Sequence, residues 1–214
     1  MVMKLFPMKK FCLLTLVCLV FSTQLHAQDH IRFNGATFGQ PLQTFTQSLK
    51  GSAPSDYYGY FAVPRGYNSN LCNHTERYIT LNSQKWQCHI FSSRSSNTVF
   101  RTVSVNSFFN NDLKNQLKLL VETLEGKYGG GVQEKQEDLG EIGYRGYSKE
   151  YKREMLALYY YVKDANNRAI GEIRISAAPA NQTATNGYIE ISYTDYNARS
   201  KSTQEYNALM NDTF

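Results

Sequence analysis

The 214-residue chain carries 23 Lys and Arg against 18 Asp and Glu, a formal net charge of +5, with 42% hydrophobic residues, 14 glycines and 5 prolines. This moderate charge and apolar content, with no low-complexity tract, excludes a chain disordered over most of its length. No Lys/Arg cluster of the kind that tracks a phosphate backbone occurs beyond the first residues, which speaks against a nucleic-acid partner.

The segment from Met8 to Gln28, MKKFCLLTLVCLVFSTQLHAQ, has two lysines, an apolar run from Phe11 to Phe21 and a polar stretch ending in Leu-His-Ala. That order is the three-part form of a secretory signal, and the run is shorter than the ~20 apolar residues that span a bilayer. Cleavage is expected after Ala27, which makes residues 1–27 a signal peptide and 28–214 a single exported domain of the periplasm or cell surface. Cys12 and Cys18 follow Phe11 and Val17 rather than the small residue that precedes an acylated cysteine, so no lipid anchor is expected. Loss of Lys4, Lys9 and Lys10 with the signal lowers the formal charge from +5 to +2, and no later stretch reaches transmembrane length.

HIRFNGATFG predicts a strand with a glycine turn at Gly35 and Gly39. QPLQTFTQSLKG predicts a short helix, with Pro41 at its start, Gly51 past its end and Leu42, Phe45 and Leu49 along one side. DYYGYFAVP, RYITLNSQKWQCHIFSS and NTVFRTVSVNSFF alternate β-branched and aromatic residues with polar ones, as strands of an antiparallel meander do.

Cys72 and Cys88 are the only cysteines left after cleavage, an even pair in an oxidising compartment, and a disulfide between them is expected to add about 3 kcal/mol. Two buried thiols, or a metal held by Cys72, His74, Cys88 and His89, are the rivals. KWQCHIF reads as a strand, so Cys88 and His89 point to opposite faces and a single ion could not take both. No metal site and no cofactor are expected.

NDLKNQLKLLVETLEGKYGGG changes period: Leu113, Leu117, Leu120, Val121, Leu124 and Tyr128 recur at helical spacing, and the glycines from 129 stop the helix. QEKQEDLGEIGYRGYSKE is a polar linker or irregular excursion. MLALYYYVKDANNRAIGEIRISAAP predicts a hairpin turning at DANNR, GYIEISYTDY a further strand, and ARSKSTQEYNALMNDTF a terminal helix. The expected fold is a single α+β domain with helices packed on one face of an antiparallel sheet; strands followed by a helix occur twice, an order that hints at two similar halves, 28–131 and 132–214, without a residue-level repeat to mark a duplication.

Phe33, Gly35, Gly39, Phe45 and Leu49, then Lys127, Tyr128 and Gly129, then Tyr193 and Asp195, resemble a pattern of uncharacterised small exported proteins of Bacteroides-type bacteria. The resemblance implies a layout similar to the β-lactamase-inhibitor-protein or outer-membrane-assembly-lipoprotein type of α+β fold. It implies no catalytic residues, and fold analogy does not carry function.

No Gly-x-Ser-x-Gly elbow occurs, and GKYGGG lacks the Lys-Ser/Thr ending of a phosphate loop. Glu134, Glu137, Asp138, Glu141, Glu172, Glu190 and Asp195 offer carboxylates for a glycan-directed or envelope-directed hydrolase. The feature that stands out is sixteen tyrosines, clustered as YYGYF, YRGYSKEY, YYYV and YTDY. Tyrosine gives rigid, amphipathic contact area of the kind enriched at binding surfaces. The reading is therefore a non-enzymatic binding protein that engages a protein or glycan through Tyr57, Tyr58, Tyr60, Tyr159 and Tyr161, with the hydrolase as the alternative.

Overall fold

The computed structural model describes residues 29–54, 72–108, 110, 112–136, 155–179 and 186–211, with backbone alone for 133–136, 155, 156, 178 and 179. The expected signal at 1–27 lies outside them. Two short strands, β1 (Arg32–Phe33) and β2 (Ala36–Thr37), form a hairpin of their own. Its turn is Asn34-Gly35, with positive φ at both residues, 44 and 93 degrees. Asn-Gly is the pair that tolerates this conformation best, so what reads in the sequence as one strand and a turn folds back on itself. Space enforces the glycine as well, because a Cβ at Gly35 would stand 2.9 Å from the Ser48 carbonyl oxygen. Helix α1 (Leu42–Ser48) follows directly after Pro41 and buries Phe45, with Leu49 buried just beyond its end.

The remaining strands are β3 (Ala53–Pro54), β4 (Cys72–Leu81), β5 (Gln84–Ser93), β6 (Val99–Phe108), β7 (Val132–Gln136), β8 (Met155–Lys163), β9 (Ala169–Pro179) and β10 (Gly187–Asp195). They form one eight-stranded sheet in the order β3-β4-β5-β6-β10-β9-β8-β7, with every pairing antiparallel. Each half contributes a meander followed by a helix, α2 (Asp112–Tyr128) after β6 and α3 (Tyr196–Asn211) after β10. The two halves join where β6 pairs with β10, so the strand order is symmetric about the middle of the sheet. The fold is α+β with an antiparallel sheet, as the alternation of periods predicts.

Alternation along the strands divides the side chains between two faces. On the core face Ile79, Trp86, Cys88, Ile90, Ile173, Ile175, Ile189 and Ile191 are buried together with Phe45 of α1 and Leu113, Leu120 and Leu124 of α2. Each such side chain contributes roughly 1.5–3 kcal/mol by leaving water. The helical spacing of the leucines is what turns them to the sheet. Gly129, at φ 81 degrees, then closes α2 by donating its N–H to the Glu125 carbonyl at 2.9 Å. At the β8–β9 turn the Asp164 carboxylate accepts the N–H groups of Asn166 (2.8 Å) and Arg168 (2.9 Å) and pairs with the Arg168 guanidinium. The Arg168 backbone N–H, first among these, holds the Asp164 carboxyl below its usual range.

Asp195 ties the two ends of the domain together. Fully buried at the end of β10, it accepts the Ala198 N–H at 2.8 Å and so caps α3. Its other oxygen accepts the Ile31 N–H at 2.8 Å, and the His30 ring stands 3.0 Å from the first. Gly39 packs against that ring so closely that a Cβ would lie 2.6 Å from it. From its cap, α3 runs to the β5–β6 turn, where Ser95 and Ser96 donate to Glu205 at 2.7 and 2.9 Å.

The expected disulfide is not formed: no bond joins Cys72 to Cys88, and both are buried. The register explains why. Cys72 lies opposite Ser93 and Cys88 opposite Arg77, so they stand five residues apart along the β4–β5 ladder, roughly 17 Å. They also occupy opposite faces, Cys88 in the main core and Cys72 with Phe91 and Val103. A disulfide needs its Cα atoms within ~7 Å. Burial pushes the Cys88 thiol up to about 12, which keeps it protonated and inert.

Two outcomes follow from this packing. A staple worth ~3 kcal/mol would shift Tm by roughly 6–12 °C in a chain of this size, whereas the purified protein should melt at the same temperature with and without reductant, and denatured, non-reduced protein should titrate both thiols. Asp195→Ala strands two buried N–H groups and removes a helix cap, so urea unfolding should show a loss of about 3 kcal/mol at unchanged m-value.

Candidate functional site

The face of the sheet opposite the main core carries charged, aromatic and imidazole side chains around a small apolar cluster of Cys72, Phe91 and Val103. Register places them in rows across the strands. One row runs Glu76, His89, Val103, Ser192, Arg174, Tyr159, Val132 from β4 to β7. The row beside it runs His74, Phe91, Arg101, Thr194, Glu172, Tyr161. On the other side lie Tyr78, Gln87, Val105, Glu190, Ser176 and Ala157.

At the β8–β9 end Arg174 is the hub. Its guanidinium donates to the Tyr159 hydroxyl (3.1 Å), Ser176 (3.3 Å) and the Glu190 carboxylate (3.2 Å), and it stands 5.9 Å from the centre of the Tyr159 ring. Bonded on several sides, Tyr159 and Arg174 hold each other in one orientation. Tyr161, two residues along on the same face, is 43% exposed, and Val132, opposite Tyr159 on the last strand, is 55% exposed. Tyr160, between the two tyrosines, points the other way and is buried in the core. Of the expected binding residues, Tyr159 and Tyr161 therefore share a surface. Tyr57, Tyr58 and Tyr60 lie outside the described residues.

Arg101, nearer the middle, is buried enough that desolvation lowers its affinity for a proton, with Glu190 acting in the opposite direction. Glu172 accepts a hydrogen bond from the Tyr196 hydroxyl at 2.9 Å, and burial together with that contact pushes the phenol up. Among the described residues, the carboxylates expected for a hydrolase do not pair. Glu172 lies opposite Thr194, four residues from Glu190 on the neighbouring strand, a separation of roughly 13 Å along the strands, whereas glycosidase carboxyls stand ~5–10 Å apart. Asp195 is committed to the α3 cap. The side chains of Glu134, Glu137, Asp138 and Glu141 lie outside the described ones.

At the β4–β5 end His74, Glu76 and His89 come together. His74 and Glu76 sit two residues apart on β4 and so share a face, and Glu76 is directly opposite His89. His74 Nε2 lies 3.0 Å from His89 Nδ1, the two rings stack with centres 5.2 Å apart, and His89 Nδ1 is 3.5 Å from Glu76 Oε1. Gln87 donates to the other carboxylate oxygen at 3.1 Å, and the Phe91 ring packs against His74 with centres 5.1 Å apart. His89 is fully buried, and its Nε2 has no hydrogen-bond partner. Burial first, with His74 adding to it and Glu76 opposing, pushes His89 down to about 4. Burial lowers His74 as well, against the pull of Glu76. Both rings are therefore neutral at neutral pH.

Sequence reasoning missed Glu76, Arg174 and Gln87. The available signal was the period-two spacing His74-x-Glu76, but its meaning depends on which β5 residue lies opposite. No protein-family model, curated protein or solved structure matches the chain.

Proposed function

We propose that this is an exported, non-enzymatic binding protein, and that a glycan seats on the β7–β8 side of the second face, against Tyr159, Tyr161 and Val132. The observation that carries the reading is the placement of Tyr161 and Val132, two of the few large apolar side chains left exposed among the described residues, on one face around Tyr159. Apolar groups gathered on a surface mark interaction sites more often than the same groups scattered singly. Tyrosine rings offer a flat apolar surface to the C–H face of a sugar, and Arg174, Glu190 and Glu172 stand beside them for its hydroxyls.

Export is inferred from the lysines, apolar run and Leu-His-Ala ending of residues 8–27. The absence of any helix long and apolar enough to cross a membrane among the described residues accords with a domain that is not held by a spanning helix. Among the described carboxylates, Glu172 and Glu190 stand too far apart to serve as a hydrolase pair.

The purified protein should bind a subset of glycans on an array. Tyr161→Ala and Tyr159→Ala should each weaken that binding by roughly tenfold or more, a typical anchor loss of about 1.4 kcal/mol, while leaving the melting temperature of the exposed Tyr161→Ala variant unchanged. A blank array with retention of a protein partner would replace the glycan with a protein. Binding unaffected by either substitution would place the surface elsewhere.

A further inference from the structure

We propose that His74 Nε2, His89 Nδ1 and Glu76 Oε1 together hold a divalent late transition-metal ion of the zinc or copper type, a site independent of the tyrosine surface. Metal–nitrogen and metal–oxygen bonds of ~2.0–2.2 Å set two ligand atoms ~3.0 Å apart at a right angle and ~3.4 Å apart at a tetrahedral one. The His74–His89 and His89–Glu76 separations of 3.0 and 3.5 Å bracket those values, and all three ligand atoms lie within 4.8 Å of one another. An ion can therefore bridge them with small side-chain shifts and no movement of the sheet.

The surroundings suit an ion better than they suit a bare pair of imidazoles. Gln87 holds the outer carboxylate oxygen, which leaves Oε1 turned to His89, the arrangement by which a neighbouring amide orients a ligating carboxylate. Without an ion, the His74–His89 contact can be made with the proton on either ring. A metal at His89 Nδ1 fixes one tautomer of this fully buried ring, with the proton on Nε2, the nitrogen that has no hydrogen-bond partner. His74 is half-buried and the Glu76 side chain is 31% exposed, so an ion has a route in and a coordination position open towards water. Two imidazoles and one carboxylate favour zinc, copper or nickel over magnesium or calcium, which take oxygen ligands. Neither cysteine takes part: Cys88 is on the core face, and Cys72 packs with Phe91 and Val103.

The full chain, stripped of metal by a chelator and dialysed, is titrated calorimetrically with Zn2+, Cu2+ and Mg2+, and the Cu2+ form is examined by electron paramagnetic resonance. One equivalent of Zn2+ or Cu2+ should bind at micromolar concentration or tighter, with no response to Mg2+ and with nitrogen coupling from two imidazoles in the Cu2+ spectrum. His74→Gln and Glu76→Gln change partly exposed side chains, and circular dichroism confirms that each is folded. Each should weaken Zn2+ binding by at least tenfold. Failure of Zn2+ and Cu2+ to bind the unaltered protein, a Cu2+ spectrum without two-nitrogen coupling, or undiminished affinity in either folded variant overturns the proposal. Glycan binding on the array is read separately, so the failure of one reading leaves the other standing.

Discussion

Successive side chains of a β-strand point to opposite faces, and nearly everything in this domain follows from how that alternation is registered across eight strands. In β5 the odd and even positions are almost all buried, yet they belong to different environments. Trp86, Cys88 and Ile90 join the apolar core under α1 and α2, while His89 and Phe91 belong to the other face. A slip of one residue would put an imidazole into the main core and turn Trp86 onto the charged face. The register is therefore enforced from both sides, and the second face can carry charge because the first supplies the hydrophobic stabilisation.

Asp195 converts the sheet into a closed domain. One buried carboxylate satisfies the first turn of the last helix and the backbone of Ile31 near the start of the described chain. An unpaired carboxylate buried at that depth would be strongly unfavourable, so each partner depends on the others being in place. Gly39 belongs to the same arrangement, since its missing side chain leaves room for the His30 ring.

The second face then separates into two chemistries by distance alone. Three strands, β6, β10 and β9, lie between β5 and β8 in the sheet order, so the imidazole–carboxylate cluster and the tyrosine–arginine cluster occupy opposite ends. Each is internally complementary: Arg174 is matched to Tyr159 and Glu190, and His89 to His74 and Glu76. The two ends share no side chain.

By itself the sequence determined most of the described elements, because hydrophobic period is local, but it read the polar stretch from Gln133 as a linker where the edge strand β7 runs through Gln136, since an edge strand needs no apolar alternation. The leucines of α2, the alternation of β4 to β6, the DANNR turn held by Asp164 and the strand-helix order repeated in the two halves were all legible in it. It also placed Cys88 and His89 on opposite faces, a consequence of adjacency within a strand. Only the tertiary structure decided which residue faces which. Asn34-Gly35 closes a hairpin against which the Ser48 carbonyl packs, leaving no room for a Cβ at residue 35. Cys72 and Cys88 miss each other because the β4–β5 register sets them five positions apart on opposite faces, while that same register carries His89 to Glu76. Pairing across a sheet is fixed by packing over the whole face, so residues distant in sequence become neighbours only when the sheet has formed.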